Sequence, residues 1–380
     1  MIPYGHQSIN AADLKAVRKV LLSEWLTQGP EVSNFEKALT DYTGARYAVV
    51  FANGTAALHA AYYVTGLKPG DEFITTPLTF AATANAGLYL GAKPVFADIN
   101  HQGNLDPVAV AQKITAKTKM IAVVDYAGLP VDLRAFKTLA KKHNLILIED
   151  ACHALGAEYQ GKKIGSISDM SIFSFHPVKS ITTGEGGAVL TNNKKYYDQL
   201  IMFRTHGLTK DPTCLTKKSP GDWYHEMQML GFNYRLTDLQ AALGTSQMRR
   251  LDRFIAAREK IAARYDKELS GLADHIILPP RSTQKRSSWH LYCIRLTTAL
   301  ANKRSTIFQE LRAAGIGVQV HYIPVYFHPY YQGLGYAKGL CPKAESWYES
   351  AISLPIFPEL TKHQQDIVIT TVRKILDQAV

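Results

Sequence analysis

The chain has 380 residues, of which 46% are hydrophobic and 20% charged, so it is long enough for one large domain and a smaller second one. Its four cysteines, Cys152, Cys214, Cys293 and Cys341, are far apart and lack zinc-site spacing, which argues against a disulfide framework and against a metal site. We expect a cytoplasmic protein with no membrane partner, because the sequence has neither the pattern of a secretory signal nor a run of about 18 apolar residues.

The net charge of +11 raises nucleic acid as a possible partner and a DNA-binding regulator as a second class of function. The basic residues, however, form scattered pairs such as Lys141-Lys142 and Lys162-Lys163 and no stripe along one helix. We therefore expect no nucleic-acid partner and interpret the charge as a solvated surface with some attraction for an anionic substrate.

The first half of the chain alternates between strands and helices. A helix over 11–22 ends at the turn Leu26-Thr-Gln-Gly-Pro30, and a second helix begins at Pro30. Apolar runs separated mostly by helix-length stretches then predict seven strands, near 47–52, 73–76, 94–97, 120–125, 145–149, 170–175 and 187–191. This pattern is typical of an α/β fold in which helices cover both faces of a mainly parallel sheet.

The second half begins with an irregular polar stretch over 208–228, which we interpret as a long functional or mobile loop. A helix is predicted from Thr237, and another over 248–269 links to a smaller α+β domain. We place the boundary between a large domain, 1–250, and a small domain, 251–380. The predicted elements of the small domain are a strand at 289–296, a helix at 306–314, a strand at 318–322 and a final helix after residue 360.

Lys179 is the first candidate catalytic residue. It follows the predicted strand that ends at Phe175 and precedes the strand at 187–191, so it lies on a loop that the sheet holds at both ends. Partial burial there would favour the neutral amine, which a lysine needs to bond covalently to a carbonyl. The alternative is an ordinary solvated lysine.

Asp150 and His153 follow another buried strand, at the carboxyl end where open α/β sheets bind ligands. A carboxylate in that place can keep the ring nitrogen of an aromatic ligand protonated. The alternatives are a capping aspartate and a half-buried structural histidine.

An anion site is predicted at Asn53-Gly-Thr-Ala-Ala-Leu58, where a strand turns into an alanine-rich helix. The first helical turn offers free N–H groups and a positive dipole end to a phosphate, although the same residues also suit ordinary capping. Phe80 lies at the next strand-to-helix turn and either stacks on a flat ring or packs under the helix. For Asn233, the residues alone predict an ordinary turn asparagine.

Six motifs together resemble the nucleotide-sugar aminotransferases of the DegT/DnrJ/StrS family, which are fold-type I pyridoxal phosphate enzymes. They are Trp25-Leu-Thr-Gln-Gly-Pro30, Asn53-Gly-Thr-Ala-Ala-Leu58, Asp150-Ala-Cys-His153, Ser174-Phe-His-Pro-Val-Lys179, Gly231-Phe-Asn-Tyr-Arg-Leu236 and Val320-His-Tyr-Ile-Pro324.

The resemblance implies a role for each matching residue around pyridoxal phosphate. Lys179 would carry the cofactor and move protons, and Asp150 would hold its ring nitrogen protonated. His153 would contact the ring hydroxyl, where many relatives carry glutamine, and Phe80 would stack on the ring. The phosphate would be bound by four residues: Gly54, Thr55, Ser174 and, from the neighbouring subunit, Asn233.

The resemblance also implies the reaction. Relatives that dehydrate sugars carry histidine where this chain has Lys179, so transamination is favoured. The closest likeness is to the branch that aminates C4 of UDP-linked 4-keto-6-deoxy-N-acetylhexosamines for pseudaminic acid, with glutamate as donor and a homodimer that shares its active sites. A dTDP- or GDP-linked sugar, or amination at C3, stays open. The residues expected to contact substrate are Tyr4, Leu26, Thr27, Gln28, Gly29, His321 and Tyr322, and Tyr326, Tyr330 and Tyr331 either line the same site or cover a core.

Overall fold

Seven strands form the central sheet of the computed structural model, which describes residues 1–379. They are β1 (Tyr47–Phe51), β2 (Glu72–Thr75), β3 (Lys93–Phe96), β4 (Thr118–Val124), β5 (Ile146–Asp150), β6 (Met170–Ser174) and β7 (Gly187–Thr191). Their order across the sheet is β1-β7-β6-β5-β4-β2-β3, and only β7 runs antiparallel to its neighbours. The predicted mainly parallel, seven-stranded sheet is therefore confirmed.

Helices cover both faces of this sheet, as predicted. The helices of the chain are α1 (Ala11–Leu21), α2 (Pro30–Thr43), α3 (Gly54–Val64), α4 (Ala82–Leu88), α5 (Pro107–Ala111), α6 (Leu133–His143), α7 (Lys194–Arg204), α8 (Asp238–Met248), α9 (Leu251–Leu269), α10 (Arg304–Ala313), α11 (Pro329–Gly333), α12 (Pro342–Ser350) and α13 (Lys362–Gln378). One buried cluster joins the sheet to α2, α6 and α8, and another joins it to α3, α4 and α7. Successive residues of a strand point to opposite faces, so Ile172 packs in one cluster and Phe173 in the other.

The helix boundaries follow local capping chemistry. Asn53 caps α3 by accepting the Ala56 amide at 2.8 Å. Thr237 and Gln240 form a capping box at the start of α8, which confirms the helix predicted from Thr237. The linking helix predicted from residue 248 begins at Leu251 instead, because α8 ends at Met248.

The C-terminal part forms the expected smaller α+β unit. Strands β8 (Ile276–Ile277), β9 (Tyr292–Leu296) and β10 (Ala351–Leu354) make an antiparallel sheet with its own apolar cluster. Helix α9 joins the two parts, since Phe254 packs in the large cluster and Tyr265 in the small one. The division of the chain at residue 250 stays a prediction.

Two local predictions differ from the structure. The prediction of a strand at 318–322 is wrong. Within the described residues this segment pairs through the isolated bridge of Gln319 with Ser353 and forms no continuous strand ladder. The carbonyl of His321 instead accepts the Tyr126 hydroxyl at 2.6 Å. The loop predicted over 208–228 contains a short hairpin in which Leu208–Thr209 pairs with Glu226–Met227. Over residues 1–379, no helix is long and apolar enough to cross a membrane.

Candidate active site

Asp150 ends β5 and is almost fully buried at the carboxyl edge of the sheet. Its Oδ2 accepts the Thr83 hydroxyl at 2.6 Å, and its Oδ1 accepts the Cys152 amide at 3.2 Å. Thr79 lies behind Thr83, with their hydroxyls 2.8 Å apart. The carboxylate is thus held in one orientation by α4 and by its own loop, which leaves it able to accept a further strong donor.

Lys179 lies on the loop between β6 and β7, next to β5 in the sheet. The loop closes on Phe175, whose carbonyl accepts the Thr183 amide and the Thr182 hydroxyl, both at 3.0 Å. Lys179 is half-buried. Burial lowers the pKa of its ammonium group, although Cys152 and Asp150 act in the opposite direction. A neutral amine therefore forms more readily here than on the protein surface, which is what covalent chemistry at a carbonyl requires.

The N-terminus of α3 makes a cradle beside these residues. A Cβ atom added to Gly54 would lie 3.1 Å from Ser174 Cβ, so helix start and strand end are in close contact. Gly187 makes the approach possible, because a Cβ there would lie 2.5 Å from the Asn53 carbonyl oxygen. Asn53 caps only Ala56, which leaves the amides of Gly54 and Thr55 available for an anion.

His153 is buried beside the same sheet edge. Its Nε2 lies 3.0 Å from the Tyr322 hydroxyl, whereas its buried Nδ1 has no hydrogen-bond partner among the described residues. Burial, followed by the charges of Lys179 and His321, holds the pKa of His153 well below its usual value, so the ring is neutral. A buried polar atom without a partner is costly, and a bound ligand would remove that cost.

Three further residues of the site were missed from sequence: Thr83, Ser288 and His290. Ser288 Oγ donates to the His153 carbonyl at 2.5 Å, and the His290 ring lies 4.3 Å from the His153 ring. The sequence offers one signal for Thr83, because its hydroxyl lies on the helix that follows Phe80, next to the predicted site. The spacing of Ser288 and His290 carries no comparable signal, because they reach the site only through the packing of the C-terminal part.

Phe80 does not pack under its helix. Its side chain is 64% exposed, and its ring centroid lies 6.4 Å from that of Tyr322. This excludes the alternative of a core phenylalanine and leaves the ring face accessible at the mouth of the site.

The structure brings together three of the seven expected substrate residues, Tyr4, His321 and Tyr322. The rings of Tyr4 and His321 lie 5.6 Å apart, and those of His321 and Tyr322 4.9 Å apart. His321 Nδ1 is hydrogen-bonded to Ser353 Oγ at 2.8 Å, and burial together with the charge of Lys179 lowers the pKa of His321 to about 3. These rings form one wall of the site.

The other four expected substrate residues are Leu26, Thr27, Gln28 and Gly29. They form a turn that packs against the start of α8. Asp238 accepts the Gly29 amide at 2.8 Å, and its own amide donates to the Leu26 carbonyl at 3.0 Å. Thr27 forms a bridge with Thr237, and Gln28 adopts a left-handed conformation with φ of 57°. No hydrogen bond or ring contact within residues 1–379 links this turn to Lys179 or His153.

Asn233 is exposed, and no hydrogen bond within residues 1–379 links it to Lys179 of its own chain. It forms a bridge with Thr205, while its neighbour Tyr234 accepts the Ala52 amide through its carbonyl at 2.8 Å and approaches His59 with its hydroxyl. The segment is thus held rigidly with the Asn233 side chain on the outside.

Two of the three other tyrosines cover a core. Tyr326 donates to Glu345 and Tyr331 to Asn85, each at 2.6 Å, and both are buried in the cluster between the two parts of the chain. Tyr330 is exposed. Within the described residues, no group of His, Cys, Asp and Glu side chains is arranged to hold a metal ion.

Pyridoxal phosphate fits the groups that the structure assembles. The Lys179 amine, with its lowered pKa, matches the aldehyde, and the fixed Asp150 carboxylate matches the ring nitrogen. His153 Nδ1, which lacks a partner among the described residues, matches the ring hydroxyl, and the cradle at the start of α3 matches the phosphate.

Comparison with known proteins gives the family. The model of the DegT/DnrJ/EryC1/StrS aminotransferase family matches residues 7–373. The chain is 42% identical to a UDP-4-amino-4,6-dideoxy-N-acetyl-beta-L-altrosamine transaminase of Campylobacter jejuni, with 100% of this chain and 98% of that protein covered.

Solved structures agree with this assignment. Helicobacter pylori PseC, an aminotransferase involved in the biosynthesis of pseudoaminic acid, has a TM-score of 0.93 and 36% identity over 99% of both chains. Spr1654 of Streptococcus pneumoniae, a putative sugar aminotransferase solved in its PMP form, has a TM-score of 0.94 and 32% identity over 100% of both chains. The chain therefore belongs to the DegT/DnrJ/EryC1/StrS aminotransferase family and is a pyridoxal phosphate-dependent aminotransferase.

Proposed function

We propose that this enzyme transfers an amino group from an amino acid, with L-glutamate as the expected donor, to C4 of a UDP-linked 4-keto-6-deoxy-N-acetylhexosamine in the biosynthesis of pseudaminic acid. The observation that carries the chemistry is the position of Asp150 and of the Lys179 loop at the ends of two adjacent parallel strands, β5 and β6. Full-length similarity to the Campylobacter transaminase supports the choice of substrate.

Each polar group of the site has a role in this proposal. Bound pyridoxal phosphate supplies an electron sink for the carbon that loses its proton. Lys179 binds the cofactor and moves that proton, because its amine is easily deprotonated. Asp150 holds the ring nitrogen protonated, and His153 donates to the ring hydroxyl. Phe80 would stack on the ring at the mouth of the site.

The cradle at the start of α3 would hold the phosphate of the cofactor through the amides of Gly54 and Thr55 and the hydroxyl of Ser174. The positive end of the helix dipole adds to this attraction. Asn233 completes the phosphate site from a second subunit. Its side chain is exposed and makes no hydrogen bond to the Lys179 loop of its own chain among the described residues, which supports this arrangement with a homodimer as the active unit.

The substrate lies against Tyr4, His321 and Tyr322. Leu26, Thr27, Gln28 and Gly29 reach it from the partner subunit or border its nucleotide, since no hydrogen bond within the described residues links them to the site of their own chain. Cytoplasmic action is part of the proposal and is supported by the four free cysteines.

A panel of UDP-, dTDP- and GDP-linked keto-sugars tests the choice of substrate. The purified enzyme, loaded with cofactor and supplied with glutamate, should aminate the UDP-linked 4-keto-6-deoxy-N-acetylhexosamine with the highest kcat/KM. Lys179→Ala is the control for background amination. A higher kcat/KM for a dTDP- or GDP-linked sugar, or a product aminated at C3, would replace the proposed substrate and leave the family unchanged.

A further inference from the structure

His153 and Tyr322 meet across the junction between the two parts of the chain. His153 follows β5, and Tyr322 lies on the segment before α11, yet the Tyr322 hydroxyl is 3.0 Å from His153 Nε2. Their rings are nearly parallel, with an interplanar angle of 24° and centroids 5.9 Å apart. The Tyr322 hydroxyl has no other partner among the described residues. The direction of this hydrogen bond therefore determines which nitrogen of His153 carries the proton.

The two groups meet in their neutral forms. Burial raises the pKa of the Tyr322 phenol, which therefore keeps its proton. Burial lowers the pKa of His153, and the charges of Lys179 and His321, which face the ring, add to this effect. A neutral imidazole carries one N–H and one lone pair, and the bond made by one nitrogen fixes the state of the other.

We propose that Tyr322 is a positioning residue for His153: its hydroxyl donates to Nε2 and thereby places the ring proton on Nδ1, where it can be donated to the ring hydroxyl oxygen of the bound cofactor. Two observations select this direction over the reverse. Among residues 1–379 the phenol has its proton and no other acceptor, and Nδ1 is buried without a partner, as expected of a donor that awaits a ligand. The inference rests on the proposed contact of His153 with the cofactor.

Ser288 and His290 hold the backbone and one ring face of His153. Ser288 Oγ donates to its carbonyl at 2.5 Å, and the His290 ring packs 4.3 Å from its ring. Between these two residues Trp289 has a φ of 51°, a left-handed conformation that side chains rarely adopt, so the corner is bent in the way that brings both neighbours onto His153. These contacts support the placement of the ring in which Nε2 faces the Tyr322 hydroxyl and Nδ1 is left for a ligand.

The test is a pH titration of the visible absorption of the bound cofactor. A donor at the ring hydroxyl oxygen stabilises its anionic form, so losing the donor should raise the midpoint pH of the colour change. Tyr322→Phe should raise it by about 0.5 to 1 unit, the equivalent of one ordinary hydrogen bond. His153→Leu should raise it at least as much, and the double variant should match His153→Leu alone. Tyr326→Phe, which removes another buried tyrosine hydroxyl away from His153, should titrate as wild type.

The outcomes separate the two assignments. If His153→Leu titrates as wild type, His153 does not contact the cofactor and the proposed site fails. If His153→Leu shifts the midpoint but Tyr322→Phe does not, the cofactor contact stands and the role of Tyr322 is overturned. If Tyr322→Phe raises the midpoint as much in the His153→Leu background as in the wild type, Tyr322 acts on the cofactor without His153 and the inference is also overturned. Retention of cofactor by each variant, measured by its absorption after gel filtration, establishes that the titrations report on loaded protein.

Discussion

Thr83 Oγ1 donates a hydrogen bond of 2.6 Å to Asp150 Oδ2, which ties the carboxylate at the end of β5 to helix α4. Since Thr83 uses its proton in this bond, the nearby Thr79 hydroxyl donates to Thr83, and the three side chains form a short chain of hydrogen bonds. The carboxylate is thereby oriented before any ligand arrives, which lowers the entropy lost when it binds a ring nitrogen.

The charge of Asp150 should matter more than this orientation. Asp150→Asn keeps the shape but loses the charge that holds the ring nitrogen protonated, so the half-reaction with the amino donor should slow by about tenfold to a hundredfold. Thr83→Val, which leaves the charge in place, should cost less. Stopped-flow absorption measures the half-reaction, and the melting temperature controls for folding. A folded and fully active Asp150→Asn enzyme would make Asp150 a structural residue.

Gly187 should be required for the phosphate cradle. In Gly187→Ala the new Cβ would lie 2.5 Å from the Asn53 carbonyl oxygen and 2.7 Å from the Gly54 nitrogen, and neither backbone atom can swing aside. The start of α3 must shift, which should cost about 1 to 3 kcal/mol of stability and weaken cofactor binding. Gly271→Ala is the matched control, because a Cβ at Gly271 would meet nothing within 4 Å. Titration of the cofactor into apo protein measures the effect, and an unchanged affinity of Gly187→Ala would contradict it.

Acid should destabilise the enzyme through His321. Burial and the charge of Lys179 lower its pKa to about 3 in the folded chain, whereas the unfolded value is about 6.5. Only the unfolded chain takes up this proton between those values, so the stabilisation is fully present above about pH 6.5 and is lost as the pH falls. The loss is up to about 1.4 kcal/mol per pH unit, and about 2 kcal/mol between pH 7 and pH 5.

Urea unfolding at pH 7 and pH 5 measures this loss. The wild type should lose about 2 kcal/mol more than His321→Asn, which cannot titrate. His363→Asn changes an exposed histidine on α13 and should leave the wild-type difference intact. Equal losses in the wild type and in His321→Asn would show that another group causes the acid sensitivity.

Shared active sites should appear as complementation. Lys179→Ala and Asn233→Ala homodimers would each have two damaged sites, whereas a mixed dimer would have one doubly damaged and one intact site. Unfolding and refolding the two variants together should therefore restore about a quarter of wild-type activity, since about half of the dimers are mixed. Each variant refolded alone is the control. Both homodimers must be inactive for the recovered activity to be assigned to mixed dimers. Inactive mixtures in which heterodimers are demonstrated would place Asn233 in the site of its own subunit.

The sequence predicted best what short-range patterns determine. The seven apolar runs became the seven strands because strands buried on both faces require continuous apolar residues, as in Gly187–Thr191. The stretch at 318–322, Val-Gln-Val-His-Tyr, is rich in β-forming residues but pairs with its neighbour only through the bridge of Gln319 with Ser353, so its pattern was misleading. Ser288 and His290 were missed for a related reason. Their contacts with His153 join residues more than 100 positions apart, and no local period records such a contact.

The most direct test of the whole account is the covalent attachment of the cofactor to Lys179. Purified enzyme supplied with pyridoxal phosphate should be yellow, and borohydride should fix the cofactor to the protein. Peptide mass mapping should then find the added mass on the peptide that contains Lys179, because this half-buried lysine with a lowered pKa lies on the loop beside Asp150. Lys179→Ala should take up the cofactor without covalent labelling. Labelling of a different lysine, or a protein that stays colourless after pyridoxal phosphate is supplied, would contradict the account.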